Sequence, residues 1–330
     1  MMLNGLYVMD LARFPDVYGD EERAAIEQQL QITAPPLAPA ELTPALLADV
    51  DVLVTAWGGP QLTAELLAFA SRLQLVLYGA GSVRSIVTPE SWARGIRVTT
   101  ANEVIAASVA EFTLAQVLYA LKHGWRYVLG SRARHESLPR ASNEPGADGS
   151  VVGLMSLGAT GRATARLLGR HELTLQAYDP YVDPAVAADL GVRLVSLEEL
   201  FATSDVVSLH APVLPDTRKV VSAELLGSMK HDATLINTAR GALIDEDALV
   251  SVLQERLDLF AVLDVTDPEP PLPGSPLFSL PNAVVTPHLA GTLNTERRRQ
   301  GRLMAEELAR FLAGEPLQHE VFESTQARSA

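Results

Sequence analysis

The sequence predicts an α/β protein of about two domains, with parallel sheets covered by helices on both faces. Three observations carry that expectation. Short β-branched runs alternate with helix-length amphipathic segments along almost the whole chain, the pattern made when crossover helices join parallel strands. Several of these runs are apolar on consecutive residues, as strands buried on both faces are. Finally, 330 residues are more than one hydrophobic core ordinarily organises.

In chain order, the first clear strand is 52–55, Val-Leu-Val-Thr, just ahead of Trp57, and a second lies at 73–77. A helical pattern runs from about 106 to 121 and gives way to a polar Gly/Pro/Ser-containing stretch at 138–150, which reads as an exposed arm. The strand at 151–155 turns into a helix at 160–168. Further buried strands are expected at 175–178, 206–209, 235–236, 260–263 and 284–286. Between them, a helix over 245–254 opens on the acidic run Asp245-Glu246-Asp247. The Pro-rich connection 267–276 is irregular, and loops of that length in a compact domain are more often functional than idle. A last helix is expected over 295–312, and neither an internal repeat nor a low-complexity tract is present.

The charge is lopsided: 26 Lys+Arg against 40 Asp+Glu leave −14. Nucleic acid and anionic membrane surfaces demand clustered Lys/Arg, so neither is an expected partner, and an anionic ligand must be held by a local device. With no cysteine, disulfides, thiol nucleophiles, thiolate metal sites and iron–sulfur clusters drop out. The histidines are scattered, and His135-Glu136 and His171-Glu172 lack a second histidine at helical spacing, so no metal is expected. The N-terminus lacks the basic and apolar regions of a signal peptide, and no apolar run approaches the roughly 18 residues of a membrane span. The expectation is a cytoplasmic protein.

Residues 151–162, Val-Val-Gly-Leu-Met-Ser-Leu-Gly-Ala-Thr-Gly-Arg, lead from a strand through a tight turn into a helix. In a dinucleotide fold the glycines of G-x-G-x-x-G permit that turn and bring backbone N–H groups to a pyrophosphate at the helix N-terminus. Here Ser156 stands in the first glycine's place, leaving Gly158 and Gly161. Asp179 ends the next strand about 20 residues downstream, where that fold puts a ribose-binding carboxylate. It would accept from both ribose hydroxyls and repel a 2′-phosphate, which favours NAD over NADP. A strand-end cap ahead of Pro180 is the structural alternative. Ser156 reads as a turn residue and not a nucleophile, since its surroundings are G-x-x-S-x-G and not G-x-S-x-G.

Three more stretches place polar groups where buried strands end: Arg240 before Gly241, the acids of Asp264-Val265-Thr266-Asp267-Pro268-Glu269, and His288 after Thr286-Pro287. The carboxyl ends of strands in an open parallel sheet line the ligand crevice. An arginine there can hold a carboxylate bidentately, an imidazolium can donate a proton, and a carboxylate can orient the imidazole. Taken singly, the histidine also reads as a satisfied structural residue and the arginine as a helix-end partner. Three such residues on adjacent strand ends favour chemistry.

Together these stretches resemble one family, the D-isomer-specific 2-hydroxyacid dehydrogenases, which are NAD-dependent two-domain enzymes. The resemblance is carried by Ser208-Leu209-His210-Ala211-Pro212 through Thr217, by Glu224 to Lys230, by Leu235-Ile236-Asn237-Thr238-Ala239-Arg240-Gly241 to Asp245-Glu246, and by the stretches Leu263 to Pro270 and Thr286 to Gly291. It implies two Rossmann-like/flavodoxin-like domains, with an NAD-binding domain at 104–291 inserted in a substrate domain made of 1–103 and 292–330. It further implies that Arg240 binds the substrate carboxylate and keto oxygen, that His288 donates or accepts the proton, and that Glu269 hydrogen-bonds the far side of His288. Ser156, Leu157, Gly158, Ala159, Thr160 and Gly161 would cradle the pyrophosphate, Asp179 with Pro180 the adenosine ribose, and Asp264 the nicotinamide carboxamide. His210, Ala211, Pro212, Thr217, Thr238, Ala239 and Gly291 would line the rest of the groove.

The sequence departs from the family in the substrate domain. Where the family has a G-x-G-V-D turn that binds the substrate carboxylate through its backbone, this chain reads Ala80-Gly81-Ser82-Val83-Arg84, so Gly81 and Ser82 are the expected substrate contacts. Asn102-Glu103 replaces the usual Pro-Gly. Trp57 reads either as a wall of the substrate pocket or as a packed core residue, and Arg84 as a reader of a second acidic group or as one end of an ion pair. The resemblance also implies that the last helix packs on the N-terminal domain and that a homodimer forms through the NAD-binding domain. No regulatory domain is expected beyond that helix, which points away from the longer phosphoglycerate enzymes and toward glyoxylate or hydroxypyruvate as the 2-keto acid. The alternative is an NAD(H)-sensing binding protein on the same fold, against which the intact Arg240, Glu269 and His288 set argues.

Overall fold

The computed structural model describes residues 2–140 and 146–326. The chain divides into two compact units, Met1–Ile105 with Thr292–Ala330, and Ala106–Gly291. In the first unit, β1 (Leu3–Tyr7), β2 (Leu30–Ile32), β3 (Val52–Thr55), β4 (Leu75–Tyr78) and β5 (Arg97–Thr100) form a parallel sheet ordered β2-β1-β3-β4-β5. This is the flavodoxin-like order. A short β13 (Glu320–Val321) adds antiparallel to β5 at the edge.

The second unit holds β6 (Val151–Met155), β7 (Thr174–Tyr178), β8 (Val192–Leu194), β9 (Val206–Leu209), β10 (Thr234–Asn237), β11 (Phe260–Leu263) and β12 (Ala283–Val285). All pair in parallel, in the order β12-β11-β10-β9-β6-β7-β8. The order is that of a Rossmann sheet with one added strand, and the chain reverses direction across the sheet between β6 and β9. Successive strand residues point to opposite faces, and they sort accordingly. Val207, Leu209, Leu235, Ala261 and Leu263 lie in one apolar cluster, while Val206, Ile236, Phe260 and Val262 lie in another. Helices therefore cover both faces, as the consecutive apolar residues predicted.

The helix Ala159–Leu168 buries Gly161, Thr164, Ala165 and Leu168, one face at spacings of three and four. The helix Arg298–Ala313 likewise buries Gln300, Gly301, Met304, Ala305, Glu307 and Leu308 within the first unit. It starts later than the sequence suggested, because Asn294–Arg297 winds as a 3₁₀ turn. Fully buried Glu307 accepts the N–H groups of Gln318 and His319, which fixes the return of the chain to β13.

Two sequence expectations need correction. The helix Asn102–Ala120 is, by length and composition, apolar enough to cross a membrane. Its polar residues are Asn102, Glu103, Ser108, Glu111, Thr113 and Gln116, and here it buries Ala106, Val109, Ala110, Thr113 and Val117 in the protein. After it, the 138–150 stretch is preceded by a further helix, Gly124–Arg134, entered through His123 at a φ of 52°. Residues 141–145 of that stretch lie outside the described residues.

Candidate active site

The loop after β6 carries the glycine-poor turn. Ser156 takes a φ of 83°, a conformation that suits glycine, and its N–H bonds the carbonyl of Tyr178 at 2.8 Å. Gly161 is dictated by packing: a Cβ built there meets the Ser156 carbonyl oxygen at 2.1 Å. Gly158 caps the helix without any side-chain hydrogen bond, so the first N–H groups of Ala159–Leu168 have no cap, and a Cβ at Gly158 meets only Ser156 Oγ at 3.8 Å. The result is an open cradle at the positive end of a helix, suited to a pyrophosphate. Leu157 is buried beneath it, Pro180 is exposed, and Ala159 and Thr160 are half-buried.

Asp179 sits at the end of β7, half-buried, with both carboxylate oxygens engaged. Oδ2 accepts the N–H of Leu157 at 2.7 Å and the hydroxyl of Ser156 at 3.2 Å, while Oδ1 accepts the N–H groups of Tyr181 and Val182 at 2.9 and 3.1 Å. Both readings of Asp179 are thus compatible: it braces the strand end, and it stands beside the cradle.

Across the reversal point, His210 follows β9. A Cβ on Gly161 would lie 3.6 Å from its own Cβ. The ring is 6% exposed, with Nε2 paired to Ser208 Oγ at 3.1 Å and no partner for Nδ1 among the described residues. Burial lowers its pKa to about 4, so the imidazole is neutral. Ala211 is buried beside it. Thr217 ties the following loop by donating to the Pro212 carbonyl and accepting the Leu214 N–H, at 2.6 and 2.7 Å.

Arg240 follows β10 and is exposed; its Nη1 donates to the Ala239 carbonyl at 2.6 Å. Its loop is held by Asn237, a fully buried residue not singled out from the sequence. Asn237 donates to the Arg240 carbonyl at 2.9 Å and accepts the Ala239 N–H at 3.0 Å. Thr238 is buried and shares a 3.2 Å hydrogen bond with Thr113. Gly241 allows the loops after β10 and β11 to touch, since a Cβ there falls 1.9 Å from the Thr266 carbonyl carbon.

The loops after β11 and β12 bring Glu269 and His288 together. His288 Nδ1 and Glu269 Oε1 are hydrogen-bonded, both side chains remaining partly open to solvent. Cis peptides precede Pro268 and Pro270 on either side of Glu269. His288 has a φ of 50°, left-handed for a non-glycine residue. That turn is held by Asp264, which is 1% exposed. Its carboxylate accepts Thr286 Oγ1 at 2.6 Å and the N–H groups of Leu289 and Ala290, both at 2.9 Å. The family resemblance implies a contact of Asp264 with a nicotinamide carboxamide; in the structure its carboxylate braces the histidine turn. Gly291 closes the same segment, half-buried. Thr286, like Asn237, lies inside a motif stretch, but only its hydrogen bond exposes its role.

The residues expected to touch substrate in the first unit are Trp57, Gly81 and Ser82. Trp57 follows β3 and is stacked by Arg297, whose guanidinium carbon lies 5.6 Å from a ring centroid, and Arg297 in turn pairs with Asp16 at 2.5 Å. Trp57 therefore packs partly into its own core. Gly81 and Ser82 form a half-buried turn after β4, where Thr100 Oγ1 donates to the Ala80 carbonyl at 2.8 Å.

Residues 114–290 match the family described as D-isomer specific 2-hydroxyacid dehydrogenase, NAD binding domain. A glyoxylate reductase of Korarchaeum cryptofilum is 34% identical over 273 residues, 81% of this chain and 81% of that protein. A D-3-phosphoglycerate dehydrogenase of Mycobacterium tuberculosis is 35% identical over 254 residues, 76% of this chain but 47% of that protein. The chain spans about half the length of the phosphoglycerate dehydrogenases it matches. Among solved structures, a phosphoglycerate oxidoreductase from Rhizobium etli superimposes with a TM-score of 0.81 at 25% identity, covering 98% of this chain and 99% of that one.

Proposed function

Because this chain belongs to the D-isomer specific 2-hydroxyacid dehydrogenase family, we propose that it interconverts a small 2-keto acid and the D-2-hydroxy acid using NAD(H). The observation that carries the reading is the hydrogen bond between Glu269 and His288, on neighbouring loops of the strand ends that also present Arg240. When bound, NADH supplies the hydride. The residues that would hold it are the open Gly158–Gly161 cradle and Asp179, whose carboxylate faces no 2′-phosphate-binding cation in the contacts described above.

The protein's own groups do the rest. The planar guanidinium of Arg240 offers two parallel N–H donors to the substrate carboxylate. His288 donates Nδ1–H to Glu269, which fixes the ring and leaves Nε2 to hold the proton. Nε2–H then protonates the keto oxygen as the carbonyl carbon is reduced; in the reverse direction Nε2 takes that proton from the hydroxyl. Atoms and charge balance as 2-keto acid, NADH and a proton giving 2-hydroxy acid and NAD⁺.

The glyoxylate reductases among the relatives support glyoxylate as a first substrate to try, with hydroxypyruvate and similar short acids beside it. A panel of these with NADH and NADPH in parallel tests the reading, and turnover with NADH is expected. Binding of NADH by fluorescence with no turnover across the panel would overturn it in favour of an NAD(H) sensor. A homodimer through residues 104–291, in the cytoplasm, completes the proposal; light scattering on the purified protein tests the dimer.

A further inference from the structure

We propose that the Ser156 hydroxyl is an internal competitor for the adenosine ribose, occupying its place on Asp179 in the free protein and so weakening NAD(H) binding. The inference rests on the reading of Asp179 as the ribose-binding carboxylate.

A carboxylate offers about four acceptor positions. In Asp179 all four are filled from within the chain: Leu157 N–H and Ser156 Oγ on Oδ2, Tyr181 N–H and Val182 N–H on Oδ1. Three of these donors are backbone groups fixed by the loop after β6 and the turn after β7. The Ser156 hydroxyl alone sits on a rotatable side chain, and at 3.2 Å it makes the longest of the four bonds. It also lies on the cradle side of the turn, 3.8 Å from where a Cβ on Gly158 would be. A ribose diol brings two O–H donors to the same carboxylate. One can be accommodated only when Ser156 Oγ turns away, so binding exchanges one hydrogen bond for another where a glycine would lose nothing.

Ser156 holds a φ of 83°, which an L side chain rarely adopts. The residue therefore carries conformational strain that the hydrogen bond to Asp179 partly offsets, and glycine would remove both together.

The test is titration of NADH and of ADP-ribose, which lacks the nicotinamide, into wild type, Ser156→Ala, Ser156→Gly and Asp179→Ala, followed by intrinsic fluorescence. Both serine variants are expected to bind each ligand roughly three- to tenfold more tightly, the range of one modest hydrogen bond. Thermal melting of the ligand-free proteins verifies folding, with Ser156→Gly at least as stable as wild type. Weaker binding by both serine variants would overturn the proposal, since the hydroxyl would then be orienting the carboxylate and not competing. If Asp179→Ala binds ADP-ribose as wild type does, the underlying ribose assignment fails instead. Loss of affinity in Asp179→Ala with no change in the serine variants sinks the competitor role alone.

Discussion

The buried carboxylate of Asp264 accepts the backbone N–H of Ala290 at 2.9 Å, two residues beyond His288, while the Asp264 carbonyl accepts the N–H of His288 itself at 3.0 Å. One residue at the end of β11 thereby clamps the turn after β12 from both sides of the imidazole. The clamp explains how a non-glycine residue persists at a φ of 50°: fixed hydrogen bonds over-determine the turn.

Asp264→Asn should break this arrangement, because an amide presents an NH₂ group to at least one of the N–H donors now satisfied. Leaving a buried donor unpaired costs about 1–3 kcal/mol. The expected outcome is a lower urea midpoint together with a fall in kcat of tenfold or more. Unchanged kcat in a destabilised variant would separate the clamp from catalysis.

Glu269→Gln keeps the shape of the hydrogen bond to His288 and removes the charge. Both side chains are partly exposed, so stability should hold within about 0.5 kcal/mol. Turnover should nonetheless fall by an order of magnitude or more, with NADH affinity within twofold of wild type. Steady-state kinetics beside an NADH titration measures both, and near-normal kcat would remove Glu269 from its role.

Arg240→Lys substitutes a point charge for a planar fork. The expected loss is in kcat/KM for the keto acid, about a hundredfold, carried largely by KM. A variant within threefold of wild type would mean that the substrate carboxylate is held elsewhere.

His210 predicts a pH dependence of stability. Its pKa falls from 6.5 in the unfolded chain to about 4 in the folded one, because burial disfavours the charged ring. Between those values the unfolded state binds more protons, so the folded state is at full stability above 6.5 and loses it as the pH drops toward 4. The loss from this one group approaches about 3 kcal/mol. His210→Gln, whose amide reaches the position of Nε2 and so can keep a hydrogen bond with Ser208 Oγ, should flatten the slope of unfolding free energy against pH in that window. An identical slope in the variant would show that other groups govern the acid limb.

Much of the second unit was legible along the chain. Strands β6, β9 and β11 fall where consecutive apolar residues put them, and Arg240, Glu269 and His288 each stand just past such a strand. The pairing of Glu269 with His288 could be expected from the resemblance, since both lie in its motif stretches. The first unit was harder. Its β2 has only three residues, too few for any period to appear; β8 of the second unit is as short, and the apolar run of Asn102–Ala120, which leads into that unit, carries no sign of what covers it.

What the sequence determined by itself was therefore the class of fold, the strand–turn–helix at 151–168 and the standing of Arg240, Glu269 and His288 beyond strand ends, because side-chain periodicity and residue type are local properties. Tertiary structure alone decided what the polar groups bond. Asp179 and Asp264 look alike as acids after strands, yet one meets Ser156 and three backbone donors at the cradle, and the other clamps the histidine turn. Asn237 and Thr286 acquire roles in the same way. A hydrogen bond depends on distances and directions that the folded backbone sets, between residues brought together by strand pairing, and no spacing along the chain encodes them.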